Sequence, residues 1–85
     1  MEKFEYKVTD PSGIHARPAG LLVKEASKYA SAIKLSVNDK SADAKRLFSV
    51  MGLNVKCGDN IVISANGEDE KVAAENLEKF FKDNL

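Results

Sequence analysis

Residues 10–19, DPSGIHARPA, mark the point at which the periodicity of the chain changes. Before them, Phe4, Tyr6 and Val8 alternate with charged residues, and this period of two predicts a half-buried strand. Within them, the run Asp-Pro-Ser-Gly is a turn signal. After them, from Ala16 to about Lys28, apolar residues recur at helical spacing. The fold therefore starts with a strand, a turn and a helix, and the predicted inward stripe of that helix is Ala19, Leu22, Val23, Ala26 and Ala30.

The middle of the chain predicts a hairpin and a short helix. Residues 33–37 alternate in polarity and predict a second strand. The pair Asn38-Asp39 turns the chain, so that residues 40–43 form the partner strand of a hairpin. The short apolar segment that follows, residues 47–55, is interpreted as a brief helix.

The end of the chain adds one more strand and one more helix. The β-branched run at residues 61–65 predicts a central strand. Asp69 is the predicted N-cap of a last helix, whose inward residues are Ala73, Leu77, Phe80 and Phe81. The complete order, β-α-β-β-α-β-α, predicts an α+β fold: an open-faced β-sandwich, in which a four-stranded antiparallel sheet carries three helices on one face.

Length and charge indicate a small domain without a bias towards nucleic acids. The 85 residues fit a single domain over residues 1–85. Basic and acidic residues number 13 each, and a net charge of zero argues against binding driven by counterion release. A small RNA-binding α/β domain would also place aromatic residues on its sheet. The predicted strands at 33–37 and 61–65 contain none, so no nucleic-acid partner is expected.

The chain has one cysteine and one histidine, which bears on its redox compartment and on its capacity to bind a metal. Cys57 has no partner for an internal disulfide, which favours a reducing compartment. With His15 as the only histidine, no metal site is expected. Residues 1–5 contain no apolar leader, and no run approaches the length of a membrane span. These features predict a cytoplasmic protein without membrane insertion.

His15 is the candidate functional residue. If it is the N-cap of the first helix, the N–H groups of Ala16 and Arg17 have no partner inside the helix, and Pro18 in the first turn has no N–H to lose. Free donors, a guanidinium and a nucleophilic imidazole then share one small surface, a site suited to an anion. A ring nitrogen can accept a phosphoryl group there. A hydrolase that uses His15 as a base would need further polar catalytic groups, and the sequence offers no clear candidates.

A second feature is an apolar face without an obvious place in the core. In the short helix, Val50 and Leu53 suit the core, whereas other apolar residues point to a different face. Leu21 likewise lies outside the inward stripe of the first helix. These positions suggest a docking surface, with the alternative that they complete the core of a thin sandwich. The residues concerned are Leu21, Leu47, Phe48 and Met51.

The run GIHARPAG followed by LLVKEASKY resembles the active-site signature of the histidine-containing phosphocarrier (HPr) family. This family belongs to the bacterial phosphoenolpyruvate-dependent sugar phosphotransferase system. The resemblance extends over essentially the whole chain. It includes the hairpin at residues 38–40, the start of the short helix at residues 45–48, and residues 63–70 before the last helix.

The resemblance implies a phosphoryl carrier, without a cofactor, rather than a free-standing enzyme. His15 would be phosphorylated on Nδ1 by enzyme I, itself charged by phosphoenolpyruvate, and would pass the group to enzyme IIA components for sugar uptake. Arg17 would neutralise the phosphoryl group. A transfer site that must face two partners argues for a monomer. The partner-binding positions implied by the family are Gly20, Leu21, Lys24, Leu47, Phe48 and Met51.

One position departs from the family. Many Gram-positive members have a regulatory serine where this chain has Arg46, so no regulatory serine is assigned, with Ser49 and then Ser41 as weaker alternatives. A regulatory paralogue from the nitrogen-related branch, which would carry phosphate on His15 without feeding sugar uptake, remains the alternative function. A paralogue of the catabolite-repression type lacks this histidine and is disfavoured.

Overall fold

Seven elements follow one another in the computed structural model, which describes residues 1–85. Their order is the predicted β-α-β-β-α-β-α, and none of the helices combines the length and the apolar character that a membrane span requires. The elements are β1 (Glu2–Lys7), α1 (Ala16–Ala26), β2 (Ala32–Val37), β3 (Lys40–Asp43), α2 (Leu47–Gly52), β4 (Asn60–Asn66) and α3 (Glu70–Asn84).

The four strands form one antiparallel sheet in the order β1-β4-β2-β3. The β-branched strand β4 lies in the interior, where Ile63 stands opposite Phe4 of β1 and Leu35 of β2. The hairpin between β2 and β3 turns through Asn38 and Asp39, whose φ angles are 47° and 67°. Two positive φ angles in a two-residue loop are those of a type I′ turn, which matches the twist of the strands.

The core lies between the sheet and the three helices. Alternate residues of β2 and β4 are buried, and their neighbours on the opposite face are partly or fully exposed, so one face of the sheet is covered and the other is open. Phe81 of α3 is fully buried and its ring lies 5.6 Å from that of Tyr6. The predicted open-faced α+β sandwich is therefore confirmed, with all buried apolar residues in one cluster.

Two helices end earlier than predicted. Helix α1 stops at Ala26 instead of near Lys28, and the hydroxyl of Ser27 donates to the carbonyl of Val23 at 2.7 Å. Ala30, predicted to face inward, consequently lies beyond the helix and is exposed. Helix α2 ends at Gly52 because Asn54 adopts a φ of 52°, a left-handed conformation that cannot continue a right-handed helix.

The start of α3 differs from the prediction in one respect. Asp69 is the N-cap residue, but its side chain makes no cap bond to its own helix. Its carboxylate instead accepts hydrogen bonds from the N–H groups of Ala30 and Ser31 and from the Ser31 hydroxyl. Asp69 thus joins α3 to the entry of β2. Of the predicted inward residues of α3, Phe80 is only partly buried.

Candidate functional site

The loop before α1 is a tight turn organised by Asp10. Its Oδ1 accepts a hydrogen bond from the N–H of Ser12 at 2.8 Å, and its carbonyl accepts one from the N–H of Gly13 at 2.9 Å. Gly13 has a φ of 64°, a conformation that glycine adopts without strain. The short polar side chain and the glycine together fold residues 10–13 back on themselves.

Contacts with distant residues fix this loop on the body of the protein. The buried residue Ile14 donates its N–H to the carbonyl of Val55 at 3.2 Å. At the other end of the loop, the N–H groups of Thr9 and Asp10 both donate to the carbonyl of Leu85, at 2.8 and 2.9 Å. The backbone is therefore held on both sides of the turn that leads to His15.

His15 is the N-cap of α1, as predicted, with an extended backbone (φ −97°, ψ −175°). Its carbonyl accepts the first helical hydrogen bond, from the N–H of Ala19 at 2.9 Å. The N–H groups of Ala16 and Arg17 find no acceptor in the chain, and the first turn contains no acidic residue. The positive end of the helix dipole is therefore available to an anion from outside.

The side chains around His15 form a shallow cleft of about 230 Å³. The imidazole is 46% exposed, and the exposed guanidinium of Arg17 takes part in no ion pair. The Oδ2 atom of Asp10 lies 3.9 Å from Nε2 of His15, too long for a hydrogen bond but within reach of an electrostatic interaction. The cleft is lined by Asp10, His15, Arg17, Pro18, Leu21 and Asn84.

This arrangement suits a transient covalent bond to an anionic group. An imidazole nitrogen is a nucleophile, and the guanidinium and the free N–H groups of the helix end can stabilise added negative charge. The cleft is open, so two large proteins could reach the ring in turn. No group of three or more His, Cys, Asp or Glu side chains is placed to hold a metal ion.

Three of the predicted partner-binding side chains are exposed apolar surface in the structure. Leu21 is 43% exposed, Phe48 83% and Met51 37%. Leu21 belongs to α1 and itself lines the cleft, and α1 packs beside α2, which carries the other two. We call Leu21, Phe48 and Met51 the apolar patch.

The other predicted positions around the patch differ in exposure. Lys24 is exposed and Gly20 is partly exposed. Leu47 is partly buried and packs against the core, so it contributes less free surface than its sequence position suggested. Arg46 is the N-cap of α2, but its guanidinium only donates hydrogen bonds and cannot accept one from the free N–H groups of the helix. Its Nε lies 3.8 Å from a carboxylate oxygen of Asp43.

Two residues of the cleft were not identified from the sequence. Asp10 was interpreted only as part of a turn, although an aspartate two residues before a serine and three before a glycine is typical of a turn closed by its side chain. Asn84 lies 69 positions after His15 in the sequence. Its place in the cleft depends on how α3 packs, which local patterns do not reveal.

Comparison with known proteins places this geometry in a family. The sequence model of the family described as "PTS HPr component phosphorylation site" matches residues 2–83. The chain is 53% identical over 80 residues to the phosphocarrier protein HPr of Buchnera aphidicola subsp. Baizongia pistaciae, with 94% of each chain covered.

Solved structures agree with the sequence comparison. A histidine-containing phosphocarrier protein of Mycoplasma has a TM-score of 0.94 at 39% identity, covering 96% of this chain and 93% of that one. An HPr dimer from Thermoanaerobacter tengcongensis has a TM-score of 0.78 at 34% identity, covering 98% and 95%. Sequence, fold and the geometry around His15 lead to one conclusion. This chain belongs to the HPr family of phosphocarrier proteins of the phosphotransferase system.

Proposed function

We propose that this protein accepts a phosphoryl group on His15 from enzyme I and passes it to enzyme IIA components of sugar transporters. The observation that supports this most directly is an exposed imidazole at a helix N-terminus that has free N–H groups and no acidic residue in its first turn. Arg17, whose guanidinium is unpaired, stabilises the charge of the phosphoryl group in both exchanges.

The transfer needs no group beyond those in the cleft and the partner. A lone pair of the His15 ring forms an N–P bond while the bond between phosphorus and the donor breaks, and that electron pair returns to the donor. In the second exchange the N–P bond breaks in the same way, and its electron pair returns to His15. A helix end and one arginine stabilise the phosphoryl group moderately, which suits a carrier that must release it again.

The partners bind on the apolar patch in this proposal. Leu21 lines the cleft, and Phe48 and Met51 are solvent-exposed on α2, which packs beside α1. Lys24 is exposed on α1, three residues after Leu21, and adds positive charge there. Both partners would use overlapping surfaces, so transfer proceeds by successive binding. We further propose that residues 1–85 act as one domain and that the protein works in the cytoplasm as a monomer, since a free cleft and patch must face each partner in turn.

The test is the intact mass of the protein after incubation with enzyme I and phosphoenolpyruvate. The parent should gain one acid-labile phosphoryl group, and the His15→Ala variant should gain none while keeping the circular dichroism spectrum of the parent. Addition of enzyme IIA should then discharge the phosphorylated parent. A folded parent that gains no phosphoryl group, or a His15→Ala variant that still relays it, would contradict the proposal.

A further inference from the structure

Asp10 is the acidic residue in the cleft, and its two carboxylate oxygens have different environments. Oδ1 is occupied by the N–H of Ser12 at 2.8 Å, while Oδ2 faces the imidazole, 3.9 Å from Nε2. The backbone of Asp10 is fixed as well, since its N–H donates to Leu85 and its carbonyl accepts from Gly13. The turn thus fixes the position of the Asp10 carboxylate beside the ring, with Oδ2 near Nε2.

We propose that Asp10 is a positioning residue, which holds the proton of the neutral His15 ring on Nε2 and leaves the lone pair of Nδ1 free to accept the phosphoryl group. This inference deepens the proposed function and rests on it. Phosphorylation on Nδ1 is what the family resemblance implies, and the new element is the role of Asp10, whose Oδ2 lies 3.9 Å from the other ring nitrogen.

The charges that surround the ring favour one position for its proton. A neutral imidazole carries its proton on one nitrogen and a lone pair on the other. A carboxylate only accepts hydrogen bonds and is negatively charged, so it favours the tautomer whose N–H faces it. The remaining polar groups of the cleft are the Arg17 guanidinium, which only donates, and the amide of Asn84, which is neutral. Asp10 is therefore the only negatively charged group that lines the cleft, and its Oδ2 lies 3.9 Å from Nε2.

The same contact also matters after transfer. When Nδ1 forms the N–P bond, the proton on Nε2 stays in place and the ring becomes positively charged beside Oδ2 of Asp10. Asp10 then faces the charge of the ring while Arg17 faces that of the phosphoryl group. When the N–P bond breaks in the second exchange, its electron pair returns to Nδ1 and the ring is neutral again, with its proton still on Nε2.

The Asp10→Asn variant separates the charge of Asp10 from its role in the turn. The oxygen of the asparagine side chain can still accept from Ser12, which places the NH₂ group where Oδ2 was. The ring then faces a donor instead of an acceptor. We expect the fraction of neutral His15 rings with the proton on Nδ1 to rise, as read from ¹⁵N shifts and two-bond ¹H–¹⁵N correlations of the unphosphorylated protein at alkaline pH. Phosphoryl transfer from enzyme I should slow by about two- to fivefold, the range for a partly exposed charge interaction.

Asp43→Asn is the matched control. Its Oδ1 accepts the N–H of Lys45 at 2.8 Å, two residues on, as Asp10 does for Ser12, but its other oxygen faces Arg46 instead of a ring. This variant should keep the tautomer of the parent. An unchanged tautomer in folded Asp10→Asn, or an equal change in both variants, would overturn the inference. Because the tautomer is measured without enzyme I, a failure of the parent to accept phosphate would contradict the proposed function alone.

Discussion

At the scale of single residues, Gly13 determines how the loop meets the body of the protein. Its φ of 64° is one that few residues other than glycine, asparagine and aspartate adopt, and a Cβ atom built there would clash with the carbonyl oxygen of Val55. That carbonyl is part of the backbone and is the acceptor of the Ile14 N–H, so it cannot move aside without loss of the bond. The positive φ and the close approach of the Val55 carbonyl therefore both favour glycine at position 13.

Gly13→Ala should lower the free energy of unfolding by about 2 kcal/mol, since strain at a positive φ and a backbone clash both act against the native loop. Urea unfolding followed by circular dichroism measures this change. Gly52→Ala is the control, because a Cβ at Gly52 meets nothing within 4 Å, and its stability should remain close to that of the parent. A Gly13→Ala variant as stable as the parent would show that the loop relaxes away from Val55.

At the scale of elements, α2 shows two apolar faces with different roles. Val50 is fully buried in the core and Leu53 is 6% exposed, while Phe48 on the same short helix is 83% exposed. Spacing along the chain predicts that Val50 and Leu53 face the core, and their burial confirms this prediction. In the structure α2 packs beside α1, and Phe48 and Met51 remain exposed on α2.

Phe48→Asp should weaken binding of enzyme I, because a charged group replaces apolar surface that the partner would cover. The stability should change by no more than about 0.5 kcal/mol, as is usual for an exposed side chain. Titration calorimetry with enzyme I and urea unfolding give the two quantities. Val50→Ala is the converse control: it should cost about 2 kcal/mol of stability through the cavity it leaves, with partner binding retained. Unfolding of Phe48→Asp would place this side chain in the core instead.

At the scale of the whole molecule, Asp69 connects parts of the chain that lie far apart in sequence. Its carboxylate accepts bonds from Ala30 and Ser31, 38 to 39 residues away, and so joins the start of α3 to the entry of β2. The hydrogen bond from the Ser31 hydroxyl, followed by that from the Ala30 N–H, lowers the pKa of Asp69 from its ordinary value of 3.8. Glu25 of α1 also has a lowered pKa, chiefly because the Tyr29 hydroxyl donates to it.

The lowered pKa of Asp69 predicts a pH dependence of stability. The ionised carboxylate is favoured in the folded state, so its contribution is fully present above the unfolded value of 3.8 and is lost as the pH falls through the lower folded pKa. Asp69→Asn should therefore lower the free energy of unfolding at neutral pH. The difference in that free energy between neutral and acidic pH should then be smaller than in the parent. Urea unfolding across a pH series tests this, with the exposed Asp83→Asn as control. A pH dependence equal to that of the parent would exclude Asp69 as its source.

Much of this protein was predictable from local sequence. The period of two in β1 and β2, the turn at Asn38 and Asp39, and the helix start at His15 all depend on residues close together in the chain. Such features follow from backbone conformational preferences and from neighbours three or four positions apart. The proposed anion site around His15 belongs with them, because the free donors of α1 all lie in the first turn of that helix.

Other features required the tertiary structure, because they join residues that are distant in sequence. The sheet order β1-β4-β2-β3, the partial burial of Leu47 and the bonds of Asp69 to the entry of β2 arise only when the elements pack. Asn84 lines the cleft for the same reason, because the packing of α3 brings it close to His15. The sequence by itself determined the order of the elements and the helix that begins at His15. Packing decided how far each apolar side chain remains exposed and which distant groups complete the cleft, since burial depends on what every other element covers.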